Sequence, residues 1–446
     1  MRSKKRVSAI LLAVLLALIT CCSCTAWGGK RLLNWISFET AWRVVNDRHF
    51  DPTFGGVEWP ELRAHYRRQV AFAGDADYYR LVNEMLWELD VSHLAVVPLY
   101  YWPLAEPAAL AEGSTGLDVR LLDGEVVITS VRPGSPADKA RLRPGFVIQN
   151  IDGSTIEQIA TQAELGMDPP DNGRHRIEAI TSDVLARIYG PPGTDVTLVY
   201  LDGQGKLLQS SIERVGRPGK TMTLPGFPSG YVEFESRRLD GGIGYVHFNW
   251  FDKALARKLS RAISSMPDAR GLIIDLRGNP GGMRDAAIAG AEQLVSDRVK
   301  CSTLRRRDGI RDIILDPTHD GYDGPVVVLI DVMSKSSSEF FAACTQAIGR
   351  SVVIGERSPG SIGPAELMLL PNGATLIYPV AQETTLDGTI LEDHGVIPDI
   401  EVALDRALLS RGIDSQLEAA SSYIEQELLE SERARLSRIP QTQHRD

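Results

Sequence analysis

Three patterns predict an α/β core preceded by a β-rich module and a helical amino-terminal region. From Gly241 onward, apolar runs bounded by Gly or Pro alternate with amphipathic stretches, the rhythm of strands joined by helices. Between Gly116 and Ile212 the chain instead carries short β-branched runs separated by Gly/Pro turns. From about Leu32 to Tyr101, apolar residues such as Phe38, Ala41, Val44 and Val45 recur at three-to-four spacing, which is helical.

Taken in order, residues 1–24 read as an export address. Arg2, Lys4, Lys5 and Arg6 precede an apolar run from Ala9 to Ile19, too short to cross a hydrocarbon core that needs about 20 residues. Cys21, Cys22 and Cys24 end that run and suggest a lipid-bearing first residue, although Thr20 and Cys21 before Cys22 are poor company for such a cleavage site. Plain export and an uncleaved anchor are the alternatives, and each reading puts the body outside the cytoplasm, in the periplasm or on a membrane facing away from the cytoplasm. Residues 30–112 form the helical region, ending in a Pro/Ala-rich piece from Pro103 to Ala111; 113–215 form the β-rich module. Residues 216–410 form the α/β core, with strands at Gly244 to Phe248, Gly271 to Leu276, Val326 to Ile330 and Val352 to Ile354. Residues 411–446 form a tail whose Glu/Leu/Ala/Arg-rich stretch from Ser415 to Leu436 reads as one amphipathic helix.

Composition excludes several classes. With 446 residues, 48 basic and 58 acidic, the net charge of -10 argues against phosphate neutralisation on nucleic acid or grip on anionic lipid. Only Cys301 and Cys344 belong to the body; they could pair in an oxidising compartment, but Cys344, beside Phe340, Phe341 and Ile348, reads more naturally as a packed helix residue. No His/Cys cluster has metal-ligand spacing, and neither a Gly-Lys-Ser/Thr phosphate loop nor a dinucleotide Gly-x-Gly-x-x-Gly occurs. No metal or organic cofactor is expected.

Two segments of the core carry chemistry. Asp275 to Gly282 is a glycine-rich turn between a strand and a helix, a place where free N–H groups can face a developing negative charge. Asp331 to Phe341 is a second strand-to-helix turn. There, Ser336 and Glu339 have capping-box spacing, and a hydroxyl at such a helix start is also where a nucleophile gains amide donors.

The stretch Val131 to Gly153, with Gly190 to Leu198, resembles a PDZ domain of bacterial proteases, lengthened between Gln162 and Ile188. That resemblance implies capture of an extended peptide along Gly116, Leu117, Asp118 and Val119. Asp275 to Gly282, Ser334 to Glu339, Gly349 to Glu356 and Gly395 to Glu401 resemble the carboxyl-terminal processing (tail-specific) serine peptidases. The resemblance implies a ClpP/crotonase-like core, Ser336 as nucleophile, and an oxyanion hole from Ser337 with Gly281 or Gly282.

The better-known branch of that family takes a lysine base from the turn that here reads Ser358 to Gly363, and no lysine follows Lys335. Leu89 to His93 instead resembles the tricorn-type branch, which implies His93 as base with Ser92 and Glu392 as its partners; His394 is the rival base. The function implied is a serine endopeptidase acting on peptides or unfolded, tail-tagged proteins. The alternatives are a silent relative that binds peptides or hydrophobic ligands, and a crotonase-like acyl-thioester enzyme.

Overall fold

The computed structural model describes residues 29–98, 101, 111–165, 173–217, 219–222, 230–317 and 321–437. The export segment, the Pro/Ala-rich piece and the last nine residues lie outside the described residues. The chain forms two units, one comprising the chain up to Leu99 together with Ala365–Val380, the other comprising the rest.

In the first unit, a helix over 29–48 and helices Trp59–Val70 and Asp75–Trp87 cover a three-stranded antiparallel sheet of Ala95–Val97, Thr375–Pro379 and Ala365–Leu369. Phe38, Trp59, Tyr78, Met85 and Leu86 pack against Leu376 and Tyr378 in one apolar cluster. Residues 365–380 therefore complete a unit far from them in sequence, although sequence order alone assigns them to the α/β core. Leu376 and Tyr378 need an apolar neighbour on their inward face, and the amino-terminal helices supply it.

The second unit holds the β-rich module and the α/β core. The module's sheet begins at edge strand β1 (Leu117–Leu122), followed in space by Glu125–Val131, Val147–Ile151, Asp195–Leu201 and Leu207–Glu213. Helix α1 (Arg174–Ile188) lays Ile180, Val184, Leu185 and Ile188 against Leu117 and Val119 of β1.

The core is a six-stranded sheet whose interior strands β2 (Gly244–Phe248), β3 (Leu272–Asp275), β4 (Val326–Ile330) and β5 (Val352–Gly355) are parallel. Val246, Ile274, Val328 and Val353 lie side by side in register and face a cluster with helices Leu255–Ser264, Arg284–Ala291 and α2 (Ser337–Ala347). The alternate residues Tyr245, Ile273 and Val327 face helix Ser415–Ser437. Burial on both faces explains why these strands read as continuous apolar runs rather than alternating ones.

Cys301 and Cys344 form a disulfide with their Cα atoms 5.0 Å apart, so Cys344 is a packed helix residue and also a crosslinked one. The sequence reading allowed this pairing in an oxidising compartment but favoured simple burial, because pairing depends on a spatial separation that linear spacing does not contain.

Candidate active site

Both chemistry-bearing turns leave the carboxyl ends of adjacent parallel strands, the edge of an open α/β sheet where ligands bind. From β3, Asp275 is fixed by Arg277, whose Nη2 lies 2.6 Å away, and by the Tyr245 hydroxyl at 2.9 Å. Burial would raise its carboxyl pKa, but the Arg277 charge prevails and holds it down at about 2.

The turn continues through Asn279, fully buried, whose side chain donates to the Phe248 carbonyl at 2.8 Å and accepts the Gly281 N–H at 2.9 Å. Gly281 has φ +104, and a Cβ there would stand 2.8 Å from the Ser336 Cβ and 3.0 Å from the Ser337 nitrogen. Any side chain would push the Ser336 turn away. Gly282 (φ +136) is closed in the same way, a Cβ there standing 2.7 Å from the Phe251 oxygen.

From β4, the turn Asp331 to Lys335 delivers Ser336 to the start of α2. Asp331 is buried and accepts the Gly278 and Met333 N–H groups at 3.0 Å each. The Ser334 hydroxyl donates to the Leu276 carbonyl at 2.8 Å, and Lys335 N–H donates to the Asn279 carbonyl at 3.1 Å. Ser336 has φ 54 and ψ -114, a conformation that costs a non-glycine residue about 1–3 kcal/mol and persists only where surroundings over-determine it. Here its N–H donates to the Ser361 carbonyl at 2.9 Å and to Glu339 Oε2 at 3.0 Å.

The Ser337 hydroxyl donates to the Gly282 carbonyl at 2.9 Å and so ties the two turns together. The Gly281 N–H is spent on Asn279. Among the described residues, neither the Ser337 nor the Gly282 N–H has an acceptor.

Glu339 is wholly buried and accepts from the Ser358 hydroxyl at 2.6 Å and the Gly360 N–H at 2.7 Å as well as from Ser336. Burial raises its pKa to about 7, against the opposing pull of those hydrogen bonds. The segment 361–363 then connects two site residues, since its Ser361 carbonyl receives the Ser336 N–H while Glu392 Oε2 accepts from Gly363 N–H at 3.0 Å and Ile362 N–H at 3.3 Å.

Ser336, Ser337, Gly281, Gly282 and Glu392 thus belong to the second unit. Ser92 and His93 belong to the first, where the Ser92 Oγ and His93 Nδ1 are hydrogen-bonded at 2.8 Å and His93 has φ 56. Gly116 stands in the turn before β1, and Leu117, Asp118 and Val119 lie on that edge strand, with Leu117 and Val119 buried.

Lys335, the basic residue before Ser336, has its ammonium 2.9 Å from Glu178. His394 is near an exposed loop carbonyl, that of Glu392, at 3.0 Å. His247 sits on its strand 3.1 Å from the Asp275 carbonyl, as the apolar run implies. His49, which its polar neighbours suggest is a surface residue, is buried between Phe50 and Phe54. Sequence reasoning did not single out Asn279, although it stands inside the glycine-rich motif, nor Glu178 and Arg120, which carry no local signal.

The serine at positive φ packs against the glycine-rich turn, and comparison with known proteins gives the class of the chain. Residues 242–402 match the sequence pattern of peptidase family S41, and residues 37–87 match the tricorn protease C1 domain. The chain carries an S41 peptidase domain and is a serine peptidase of the carboxyl-terminal processing kind.

It is similar to a carboxyl-terminal-processing protease of Synechocystis sp., with 26% identity over 364 residues covering 80% of this chain and 78% of that one. Carboxyl-terminal-processing peptidase 2, chloroplastic, of Arabidopsis thaliana is 27% identical, with 88% and 73% covered. The tricorn protease of Thermoplasma volcanium is 22% identical over 87% of this chain, which spans 36% of that larger protein. In fold, the chain resembles the photosystem II D1 C-terminal processing protease, with a TM-score of 0.54 at 23% identity, covering 85% of this chain and 96% of that one. It also resembles mature CPAF, with a TM-score of 0.58 at 13% identity, covering 89% and 97%.

Proposed function

We propose that this protein is an exported endopeptidase that cleaves peptides or unfolded, tail-tagged proteins through an acyl-Ser336 intermediate. The observation that carries the reading is the Ser336 turn itself, where a serine held at positive φ is followed by an amide without an acceptor among the described residues and is tied, through the Ser337 hydroxyl, to Gly282, whose N–H likewise has none among them. Ser336 Oγ attacks the scissile carbonyl while His93 takes its proton. The resulting oxyanion is held by Ser337 and Gly282 N–H groups, of the kind worth about 10²–10³ in rate per donor. The protonated imidazole then gives its proton to the leaving amine, and water, deprotonated by the same imidazole, releases the acyl group.

His93 is the base of choice because the Ser92 contact at 2.8 Å can fix its orientation and because no lysine follows Lys335. Lys335 itself is engaged by the Glu178 carboxylate at 2.9 Å. Glu392 is the second candidate to orient or stabilise the imidazolium.

The β-rich module is PDZ-like and receives a peptide as an added strand on the β1 edge, beginning at Gly116. Export is supported by the Cys301–Cys344 disulfide, since such bonds persist in oxidising compartments. The lipoprotein-type segment itself lies outside the described residues.

Labelling with a fluorophosphonate probe tests the reading. The unaltered protein should label, and Ser336→Ala and His93→Ala should each lower labelling and peptide hydrolysis by about 10⁴-fold or more. No labelling of the unaltered protein, with unfolded substrate present, would favour the silent peptide-binding relative. Labelling that survives His93→Ala would move the base to His394.

A further inference from the structure

The turn that leads to Ser336 is held by the β-rich module almost residue by residue. Asp331 Oδ2 receives Arg120 Nε of β1 at 2.6 Å, and both side chains are buried. Val332 and Met333 lie in the module's own apolar cluster, beside Leu117 and Val119 of β1 and Ile180, Val184 and Leu185 of α1. Ser334 is held by the core, through Leu276. Lys335 extends its ammonium to Glu178 Oε1 of α1 at 2.9 Å, with 11% and 17% of the two side chains exposed.

The same helix start reaches the loop after Glu392. Arg174 Nη2 donates to the Asp393 carbonyl at 2.7 Å, and His175 lies 3.5 Å from Glu178 and 3.9 Å from the Asp393 carboxylate.

We propose that Glu178 is a positioning residue for the Ser336 nucleophile, acting through Lys335, so that the β-rich module completes the catalytic turn instead of only presenting substrate to it. The inference rests on the reading of Ser336 as nucleophile. Its physical basis is the positive φ of Ser336. A residue in a disfavoured conformation relaxes unless both flanks are fixed. The downstream flank is fixed from within α2, by Glu339. The upstream flank is Lys335, whose N–H is held by the core but whose side chain is held by the module.

A buried ion pair is a poor adhesive, because desolvation offsets most of its attraction, but it fixes geometry. Glu178 stays ionised in this position: burial would raise its pKa, yet Lys335 and His175 bring it down to about 2. Helix α1 therefore has two jobs on two faces. Its apolar face walls the β1 edge where a peptide would dock, and its first turns clasp the loops around Ser336, so a peptide entering beside β1 meets the parts that hold the nucleophile.

The experiment uses the full chain and compares Glu178→Gln, the neutral pair Glu178→Gln/Lys335→Met, the charge reversal Glu178→Lys/Lys335→Glu, and Ser336→Ala. Peptide hydrolysis and the rate of fluorophosphonate labelling are read with the melting temperature. The neutral pair leaves no unpaired buried charge and should melt close to the unaltered protein, yet lose from about tenfold to about a hundredfold in kcat and labelling rate. Its KM should stay within about twofold, since substrate contacts are untouched. Charge reversal should recover most of the rate.

A neutral pair with unaltered kcat, or one whose loss appears only in KM, would overturn the positioning role while leaving the nucleophile intact. If Ser336→Ala still labels and cleaves, the underlying reading of the site fails instead.

Discussion

On the upstream flank of Ser336 the buried Glu178 carboxylate meets an ammonium, whereas on the downstream flank the buried Glu339 carboxylate meets only neutral N–H and O–H donors. Glu339 is wholly buried and Glu178 largely so, and burial pushes both toward the neutral form. The Lys335 charge reverses that for Glu178, whose pKa falls to about 2, whereas three hydrogen bonds at Glu339 only moderate the rise to about 7. In an apolar interior a full opposite charge outweighs several dipoles. Glu178 thus behaves as a permanent ion that fixes a distance, and Glu339 as a near-neutral acceptor that gathers backbone amides.

The largest effect on this contrast is expected from Glu339→Leu, which strands the Gly360 N–H and the Ser358 hydroxyl and removes one of the two acceptors of the Ser336 N–H. At about 1–3 kcal/mol for each unsatisfied buried donor, denaturant unfolding should show most of the stability lost and labelling of Ser336 abolished. Glu339→Gln keeps an acceptor oxygen and should cost far less. Equal losses for the two would mean that charge, rather than accepted hydrogen bonds, matters at that flank.

A crosslink in the same helix supplies the next effect. Removing the bond as Cys301→Ala/Cys344→Ala opens a loop whose ends are 43 residues apart, and unfolding measurements should register a loss of about 2–4 kcal/mol. Since α2 carries Ser336 at its start and Cys344 near its end, stability should fall while the labelling rate in the folded protein changes little.

The smallest effect is on pH dependence and separates the two carboxylates by sign. The Glu339 pKa is raised from 4.5 to about 7, so its contribution to stability is full below the lower value and lost as pH rises through the upper one. Glu178, lowered from 4.5 to about 2, contributes above the higher value and loses that contribution as pH falls through the lower one. Melting curves should therefore decline on the order of 1–3 kcal/mol from about pH 5 to about pH 8, and Glu339→Gln should flatten part of that decline. The remainder belongs to Glu356, which burial and the nearby Asp331 charge also raise to about 7. An unchanged slope in Glu339→Gln would show that the donors, not burial, govern its ionisation.

Much of the candidate site was legible because its parts are short and local. A glycine-rich turn after an apolar run, a serine three residues before a glutamate at a helix start, and a Ser-His pair after a helix can each be read from neighbouring residues. Gly281 is an example: the need for no side chain is stated by the residue itself, and the structure adds only that Ser336 is what a Cβ would strike. The elements of the core were legible for the same reason, since strands buried on both faces write themselves as continuous apolar runs. Asn279 lay within a motif already singled out, but its role as the acceptor that takes Gly281 out of the candidate oxyanion hole is a matter of one side-chain direction.

By itself, then, the sequence determined the class of enzyme, the order of its elements and the serine that marks the turn, because periodicity, turn chemistry and capping act over a few residues. Tertiary structure alone decided that Ala365–Val380 completes the helical unit, that Cys301 meets Cys344, and that Arg120 and Glu178 grip the two ends of the turn before Ser336. Arg120 and Asp331 stand 211 residues apart. Attraction between charges depends on distance in space and on exclusion of water, and neither is defined until the chain has packed.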